Sequence, residues 1–342
     1  LNGRYSRQQL FAPIGEEGQT NIRRKHVVIV GAGALGAGNA EALVRAGIGK
    51  LTIIDRDYVE WSNLQRQQLY SEADAIARLP KAIAAKRRLE QINSEVEIEA
   101  IVGDAGPEEL EAIAAEQRPD VWIDATDNFD TRLVLNDVAY KYRIPWIYGA
   151  CVGSYGLSCA FIPGRTPCLY CLLETVPQGG LTCDTAGIIG PAVQMVVSYQ
   201  VAEALKMLVE DWAALRGKLV SFDLWTNEYA AVRIDAVKKE DCPTCGRHPS
   251  YPFLSYDQRT KAAVLCGRDS VQIRPPVQRE YEIDELAEMF RRQGLQTEAN
   301  PYLVAVSLGG GKRLVVFADG RALVHGTKDV HEAKTIYYRY LG

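Results

Sequence analysis

Several things are scarce in this 342-residue chain, and each scarcity excludes a class of protein. Histidine occurs four times and forms no base-like or ligand-like cluster. No apolar run approaches the roughly 18 residues that a membrane helix requires, so no membrane partner is expected. The net charge of −4 gives no global basic field of the kind that attracts nucleic acid. Eight cysteines are too sparse for a disulfide scaffold in a chain of this length. Residues 1–9 are polar and charged, without a signal-peptide core or cleavage pattern, and the expectation is a cytoplasmic protein. Internal repeats and low-complexity tracts are missing too. What remains is an ordinary globular composition, 47% hydrophobic and 24% charged, able to bury one large domain and a small one.

The rhythm of residues 26–150 is α/β. Short apolar runs at 26–30, 51–55, 98–102, 121–124 and 146–148 read as strands, and 34–46, 81–92, 107–116 and 131–143 read as helices. That alternation predicts a Rossmann-like, mostly parallel sheet with helices on both faces. Beyond it, 153–163 reads as a strand or hairpin, 167–191 as a Gly/Cys-rich loop and 192–209 as a long apolar helix. Runs at 218–223 and 229–237 read as antiparallel strands extending the sheet. The aperiodic, proline-bearing stretch 246–258 (GRHPSYPFLSYDQ) reads as a linker between a first domain, 1–245, and a small α+β domain, 259–342. In the latter, strands are expected at 262–273, 302–307, 314–317 and 322–325, with helices at 283–292 and 330–340. Gly309-Gly310-Gly311 and Asp319-Gly320 mark hairpin turns.

Gly31, Gly33 and Gly36 form GAGALG between a strand and a helix. Glycines there let the backbone turn sharply and approach a phosphate lying on the positive helix N-terminus. Asp55 closes the next strand, where a carboxylate can accept from ribose hydroxyls. A tight turn without ligand is the bland alternative, and the loop taken alone points to NAD. The residues that follow do not suit a dinucleotide. Asp57 is succeeded by Ser62-Asn63-Leu64-Gln65-Arg66-Gln67, and Arg66 can fork onto phosphate oxygens. Lys81 offers a second cation, and Asp127, after strand 121–124, sits where such sheets bind ligands and suits Mg²⁺. Each of these alone reads as a surface charge; together, each following a strand, they indicate a triphosphate with magnesium.

Cys168/Cys171 and Cys242/Cys245 are two Cys-x-x-Cys pairs. Four thiolates so paired suit tetrahedral structural Zn²⁺, with buried or redox pairs as the alternative. Cys183 lies in a Gly/Thr-rich loop, a place for an accessible thiol, whereas Cys151, Cys159 and Cys266 have apolar neighbours and read as small core residues. The surroundings of Cys266 (Leu265-Cys266-Gly267-Arg268-Asp269) do not match a rhodanese active-site loop.

The combination resembles the MoeB/ThiF family, bacterial relatives of ubiquitin-activating enzymes. The matching stretches are Arg4-Tyr5-Ser6-Arg7-Gln8, Gly15-Glu16-Glu17-Gly18-Gln19, GAGALG, SNLQRQ, Pro80-Lys81, Ala125–Asn128, both cysteine pairs and Thr182-Cys183-Asp184-Thr185-Ala186-Gly187, across residues 4–250. The resemblance implies ATP-dependent adenylation of the C-terminal glycine of a ubiquitin-like sulfur-carrier protein, ThiS-like or MoaD-like, for thiamine or molybdenum-cofactor biosynthesis. Asp55 would hold the ribose, Asn63, Arg66 and Lys81 the phosphates, and Asp127 the Mg²⁺. Arg7 matches an arginine that reaches the partner's ATP across a homodimer interface. Cys183 matches a residue linked to covalent capture of the carrier in ThiF-like members and dispensable in MoeB-like ones. Arg78-Leu79 departs from the family's usual Gly-Gln before Pro80-Lys81, which implies a changed loop. A tRNA threonylcarbamoyladenosine dehydratase-like enzyme, an NAD-dependent oxidoreductase and a non-enzymatic nucleotide-binding scaffold are the alternatives. The expected role of residues 259–342 is docking of the carrier or a downstream partner.

Overall fold

A computed structural model describes residues 3–173, 186–255, 262–264, 269–273 and 280–341. The chain divides into two compact units. The first comprises Leu1–Ile76 and Pro80–Gln258, the second Ala77–Leu79 and Arg259–Gly342.

The first unit is built on an eight-stranded sheet in the order β3-β2-β1-β4-β5-β6-β7-β8. Its strands are β1 (His26–Val30), β2 (Lys50–Asp55), β3 (Glu97–Val102), β4 (Val121–Asp124), β5 (Trp146–Val152), β6 (Tyr155–Phe161), β7 (Lys218–Asp223) and β8 (Glu228–Arg233). β3 through β5 are parallel; β6, β7 and β8 add antiparallel strands. β1 is buried at every position because helices cover both of its faces, which is why it reads as a continuous HVVIV run without alternation. After β1 the chain winds outward through β2 and β3, then crosses to β4. The point where winding reverses lies between β1 and β4, and the crevice beyond their carboxyl ends is where open α/β sheets bind ligands.

Helix Ala34–Ala46 follows β1 and ends on Gly47 in the left-handed conformation (φ 83°), the favoured glycine stop. Helix Phe129–Lys141 starts two residues earlier than its periodicity suggests, because the Asn128 side chain accepts from the Thr131 N–H (2.8 Å) and caps it. Among the described residues no helix is long and apolar enough to cross a membrane.

The stretch read as a linker behaves differently through Ser255. The Gly246 N–H donates to the Cys242 carbonyl (2.9 Å), the Ser250 and Tyr251 N–H groups to that of Pro243 (2.8 and 3.0 Å), and the Phe253 N–H to Asp137 (2.9 Å). Tyr251 and Leu254 pack on the first unit's core. Irregular backbone satisfied by scattered carbonyls and the Asp137 carboxylate has no periodic signature, so its order is invisible in the sequence.

The second unit is a six-stranded antiparallel sheet, β11-β12-β13-β14-β10-β9. The single strand expected at 262–273 is two, β9 (Ala262–Val264) and β10 (Ser270–Ile273), paired with each other. β12 (Leu303–Gly309), β13 (Lys312–Phe317) and β14 (Ala322–His325) are joined by turns at the Gly-Gly and Asp-Gly signals. β11 (Gln296–Asn300) is an added edge strand. Helix Ile283–Arg292 presents Ile283, Leu286, Ala287 and Phe290, an i, i+3, i+4, i+7 stripe, to one face of the sheet. Helix Val330–Leu341 covers the same face through Ala333, Tyr337 and Leu341.

Candidate active site and cysteine cluster

The glycine loop crosses the β1/β4 crevice, and its three glycines do different jobs. Gly31 has φ 100°, and a Cβ there would stand 2.5 Å from the Ala125 carbonyl oxygen at the end of β4. A Cβ on Gly36 would stand 1.9 Å from the Gly31 carbonyl oxygen. These two glycines are demanded by the protein's own backbone. Gly33, at the N-cap of the helix, meets among the described residues only the Gln67 amide nitrogen, at 3.9 Å. Gln67 is buried, and among the described residues its Oε1 has no hydrogen-bond partner. Among the described residues no side chain fills the space above Gly33, at a helix N-terminus where an anion could lie.

Asp55 holds that loop in place. Its Oδ2 accepts from the Ala32 N–H (2.6 Å) and its Oδ1 from the Asp57 N–H (2.7 Å). Burial raises its pKa; the Lys81 charge and the two backbone donors offset part of that rise. Tyr70 donates to the Ala32 carbonyl (2.5 Å), and burial together with Asp55 raises its phenol well above the usual value, so it remains a donor.

Lys81 opens helix Lys81–Ile92 with only 4% of its side chain exposed, and its Nζ bonds Asp57 Oδ2 at 3.1 Å. The Lys81 N–H also donates to the Asp57 carbonyl (2.8 Å), so Asp57 fixes both ends of this residue. Asn63 is buried in the 3₁₀ turn Trp61–Asn63, and its Oδ1 accepts from the Glu60 N–H (3.1 Å). Arg66, half-buried, reaches back to the Ser62 carbonyl (2.8 Å). Asp127 stands exposed beyond β4. Just beneath it, buried Asp124 pairs with Arg132 (3.0 Å), whose guanidinium also donates to the carbonyls of Thr126 (2.6 Å) and Gly149 (3.2 Å). This pair ties the ends of β4 and β5 together under the Asp127 loop. Its partners satisfy the ions, as a buried pair requires.

Two residues absent from the sequence reading belong here. Arg132 is one. Arg56 is the other: its Nη1 bonds Asp104 at 3.1 Å and its Nε lies 3.9 Å from Asp57. Burial works against the charge on Arg56, but Asp104, Asp57 and Asp127 outweigh it and raise its pKa. The adjacency of Asp104, which follows β3, is a product of β2/β3 pairing, and no local pattern signals it.

Arg7 is not brought to this edge. It lies exposed on the short helix Ser6–Gln9, next to Tyr5, whose ring packs on Gly47 at the far end of Ala34–Ala46. Thirteen residues at 1.5 Å each separate the two ends by roughly 20 Å. Cys183 and Cys266 fall outside the described residues. Cys159 is buried, with burial pushing its thiol to about 12, while Cys151 is half-buried.

The paired cysteines meet. The sulfurs of Cys168, Cys171, Cys242 and Cys245 all lie within 4.8 Å of one another, with Cys168–Cys242 at 3.5 Å and Cys171–Cys245 at 3.4 Å. Hydrogen bonds from Cys168 and Cys245, helped by the Cys245 and Thr244 N–H groups, lower the Cys242 pKa. Helix Phe129–Lys141 holds both knuckles: Asn136 accepts from the Leu169 N–H (2.9 Å), and Asp137 accepts from the Thr244 hydroxyl (2.5 Å). This cluster can hold a metal ion.

Residues 5–244 match the model of the ThiF family. The chain belongs to the ThiF family. It is 52% identical over all 342 residues, the full length of both chains, to the sulfur carrier protein ThiS adenylyltransferase of Bacillus subtilis. It is 34% identical over 245 residues to the molybdopterin-synthase adenylyltransferase of Escherichia coli, covering 71% of this chain and 96% of that protein. Among solved structures, E. coli MccB shares the fold, with a TM-score of 0.61 at 22% identity, covering 72% of this chain and 76% of MccB. The Rossmann-like architecture expected from the sequence is the ThiF architecture observed.

Proposed function

We propose that this ThiF-family protein uses ATP to adenylate the C-terminal glycine of a ubiquitin-like sulfur-carrier protein, releasing pyrophosphate. The observation that carries the reading is the open Gly33 position at a helix N-terminus, beside Lys81 and Asp127 on one sheet edge, in a chain akin along its whole length to a ThiS adenylyltransferase. A ThiS-like carrier, and thus thiamine biosynthesis, is favoured over a MoaD-like one. The likeness to the ThiS enzyme spans the whole chain, that to the molybdopterin enzyme only 71% of it.

In this scheme the ATP phosphates lie along Gly31–Gly36 on the helix dipole. Asp55, already committed to two backbone donors, presents its remaining lone pairs to the ribose. Lys81 and Arg66 neutralise the phosphates, Asn63 keeps the Arg66 loop in register, and Asp57 orients Lys81. Asp127, an exposed carboxylate beyond β4, would hold Mg²⁺, which would neutralise phosphate charge at this edge. A carboxylate is already ionised at neutral pH, so the carrier needs no protein base. Its oxygen attacks the α-phosphorus, the bond to the bridging oxygen breaks, and pyrophosphate takes that electron pair. The protein's share is positioning and charge stabilisation.

Arg7, far from its own glycine loop, serves the partner's ATP in a homodimer. Cys183 captures the carrier after adenylation. The four cysteines hold Zn²⁺: bonds of about 2.3 Å in a tetrahedron put sulfurs roughly 3.8 Å apart, which the observed spacings bracket. The protein works in the cytoplasm, with residues 259–342 as a separate small domain. The deciding experiment is ATP–pyrophosphate exchange with each carrier type. Exchange stimulated by a ThiS-like carrier is expected; nicotinamide binding without exchange would overturn the reading.

A further inference from the structure

The second unit includes three residues that interrupt the first. Ala77–Leu79 belongs to it, although Ile76 before and Pro80 after belong to the first unit. Buried Lys81 follows two residues later. On its own this stretch is a poor turn. Arg78 has φ 47°, in the left-handed region where a side chain crowds its own backbone and glycine is favoured. Leu79 precedes a proline, which restricts it to extended conformations. What compensates is β11, 222 positions away.

The Asn300 Nδ2 donates to the Ala77 and Arg78 carbonyls (3.1 and 2.9 Å), while its Oδ1 accepts from the Tyr302 and Leu303 N–H groups (2.9 and 3.1 Å). An amide side chain has two donor hydrogens and two acceptor lone pairs, and here all four are used. The bonds it accepts fix it on the turn into β12, which settles where its donors point. Glu298 shares that face of the strand, two positions earlier, and pairs with the Arg78 guanidinium at 2.5 Å. β11 therefore grips the turn by two carbonyls and a side chain. QTEAN is otherwise a polar edge strand, paired among the described residues with β12 alone and contributing no residue to the unit's apolar core. At the other end of the turn, Asp57 holds both the Lys81 N–H (2.8 Å) and its Nζ (3.1 Å), and Pro80 bridges to Tyr58. Between the two fixed points lie only Leu79 and Pro80, both stiff, so a displacement of Arg78 is passed on to Lys81.

We propose that Asn300 and Glu298 are positioning residues for adenylation, acting through Ala77-Arg78 to hold Lys81 in its phosphate-binding pose. This rests on the reading of Lys81 as a phosphate ligand. It gives the second unit a part in the reaction: β11 braces the entry to the lysine's helix. Lys81 would bind the phosphates of ATP in the ground state and the transition state alike. Loosening it should therefore raise KM for ATP and leave kcat nearly unchanged.

The test uses the full chain and Asn300→Asp, which is isosteric, keeps the bonds accepted from Tyr302 and Leu303, and removes donation to the two carbonyls. KM for ATP in pyrophosphate exchange should rise about fivefold, with kcat changed less than about twofold. A second readout needs no catalysis. Lys81 is acetylated with acetic anhydride in the absence of nucleotide and followed by peptide mass spectrometry. Buried and paired with Asp57, it should react roughly threefold faster in the variant than in the wild-type chain. Glu298→Gln, at an exposed position on the same strand, should move both readouts in the same direction by about half as much. Lys81 labelling that stays at the wild-type rate in both variants would overturn the proposal, as would a fall in kcat without a rise in KM. A wild-type chain that performs no exchange would sink the adenylation reading instead, while the labelling rates still decide whether β11 holds Lys81.

Discussion

The proposed nucleotide edge and the cysteine cluster lie along one helix, Phe129–Lys141, yet they are built on opposite principles. At the proposed nucleotide edge, Asp127 stands exposed and Gly33 has, among the described residues, an open position above it, while Lys81 and Asn63 are buried behind them. At the cluster, Cys168, Cys171 and Cys242 are buried and Cys245 is half-buried, the sulfurs are within reach of each other, and Asn136 and Asp137 hold the loops that carry them. The proposed edge suits a ligand that comes and goes. Four thiolates on one tetrahedral ion would leave the cluster no coordination position for chemistry. The contrast teaches that removing a group at the edge should cost activity with little stability, and the reverse should hold at the cluster.

The largest effect is expected from breaking the cluster. On the zinc reading proposed above, a chelator or Cys242→Ser should release the metal, and Cys242→Ser should leave buried Cys168 and Cys171 and half-buried Cys245 without their common partner. A loss of about 4 kcal/mol or more is expected for such a site, roughly 10 °C in melting temperature for a domain of this size. Calorimetry with metal analysis reads both. A metal-free protein that melts at the original temperature would erase the distinction between the two regions.

Asp127→Ala tests the other arm. Pyrophosphate exchange should fall roughly 10²–10³-fold, the scale for deleting one preorganised electrostatic group, while melting stays within a degree or two. Near-normal exchange in this variant would remove Asp127 from the machinery.

The glycines divide the edge more finely. Gly36→Ala places a methyl 1.9 Å from a backbone carbonyl and should misfold the loop, whereas Gly33→Ala meets no described backbone. The Gly33→Ala protein should melt normally and bind ATP about tenfold to a hundredfold more weakly, measured by calorimetric titration. Equal behaviour of the two variants would mean that the loop is merely a tight turn.

How much of this was legible in the sequence follows from the range of each interaction. β1, Ala34–Ala46, β4 and Lys81–Ile92 could be read to the residue, since burial, glycine stops and a proline entry are local signals. The two hairpins of the second unit announced themselves through Gly-Gly and Asp-Gly. β11 did not: QTEAN has no apolar alternation, because the strand is an edge and half of it faces water. Asn136 and Asp137 carry the cysteine loops, but in sequence they are two polar residues in a helix, and their partners lie 33 and 107 positions away. The motif residues of the proposed site were readable as types; their packing partners, fixed by sheet order, were not.

Arg56 is where that limit bears on the chemistry, and its predicted effect is the smallest. It bridges Asp104 and Asp57, and Asp57 in turn holds Lys81. If Arg56 acts through that relay, Arg56→Gln lets Asp57 drift and weakens ATP binding about tenfold, or 1.4 kcal/mol. The same substitution made on Lys81→Met should then cost almost nothing further, because the group being positioned is already gone. Full additivity in that double-mutant cycle would show that Arg56 contacts the nucleotide independently of Lys81. It would then move from the scaffold of the edge to its ligand-binding face.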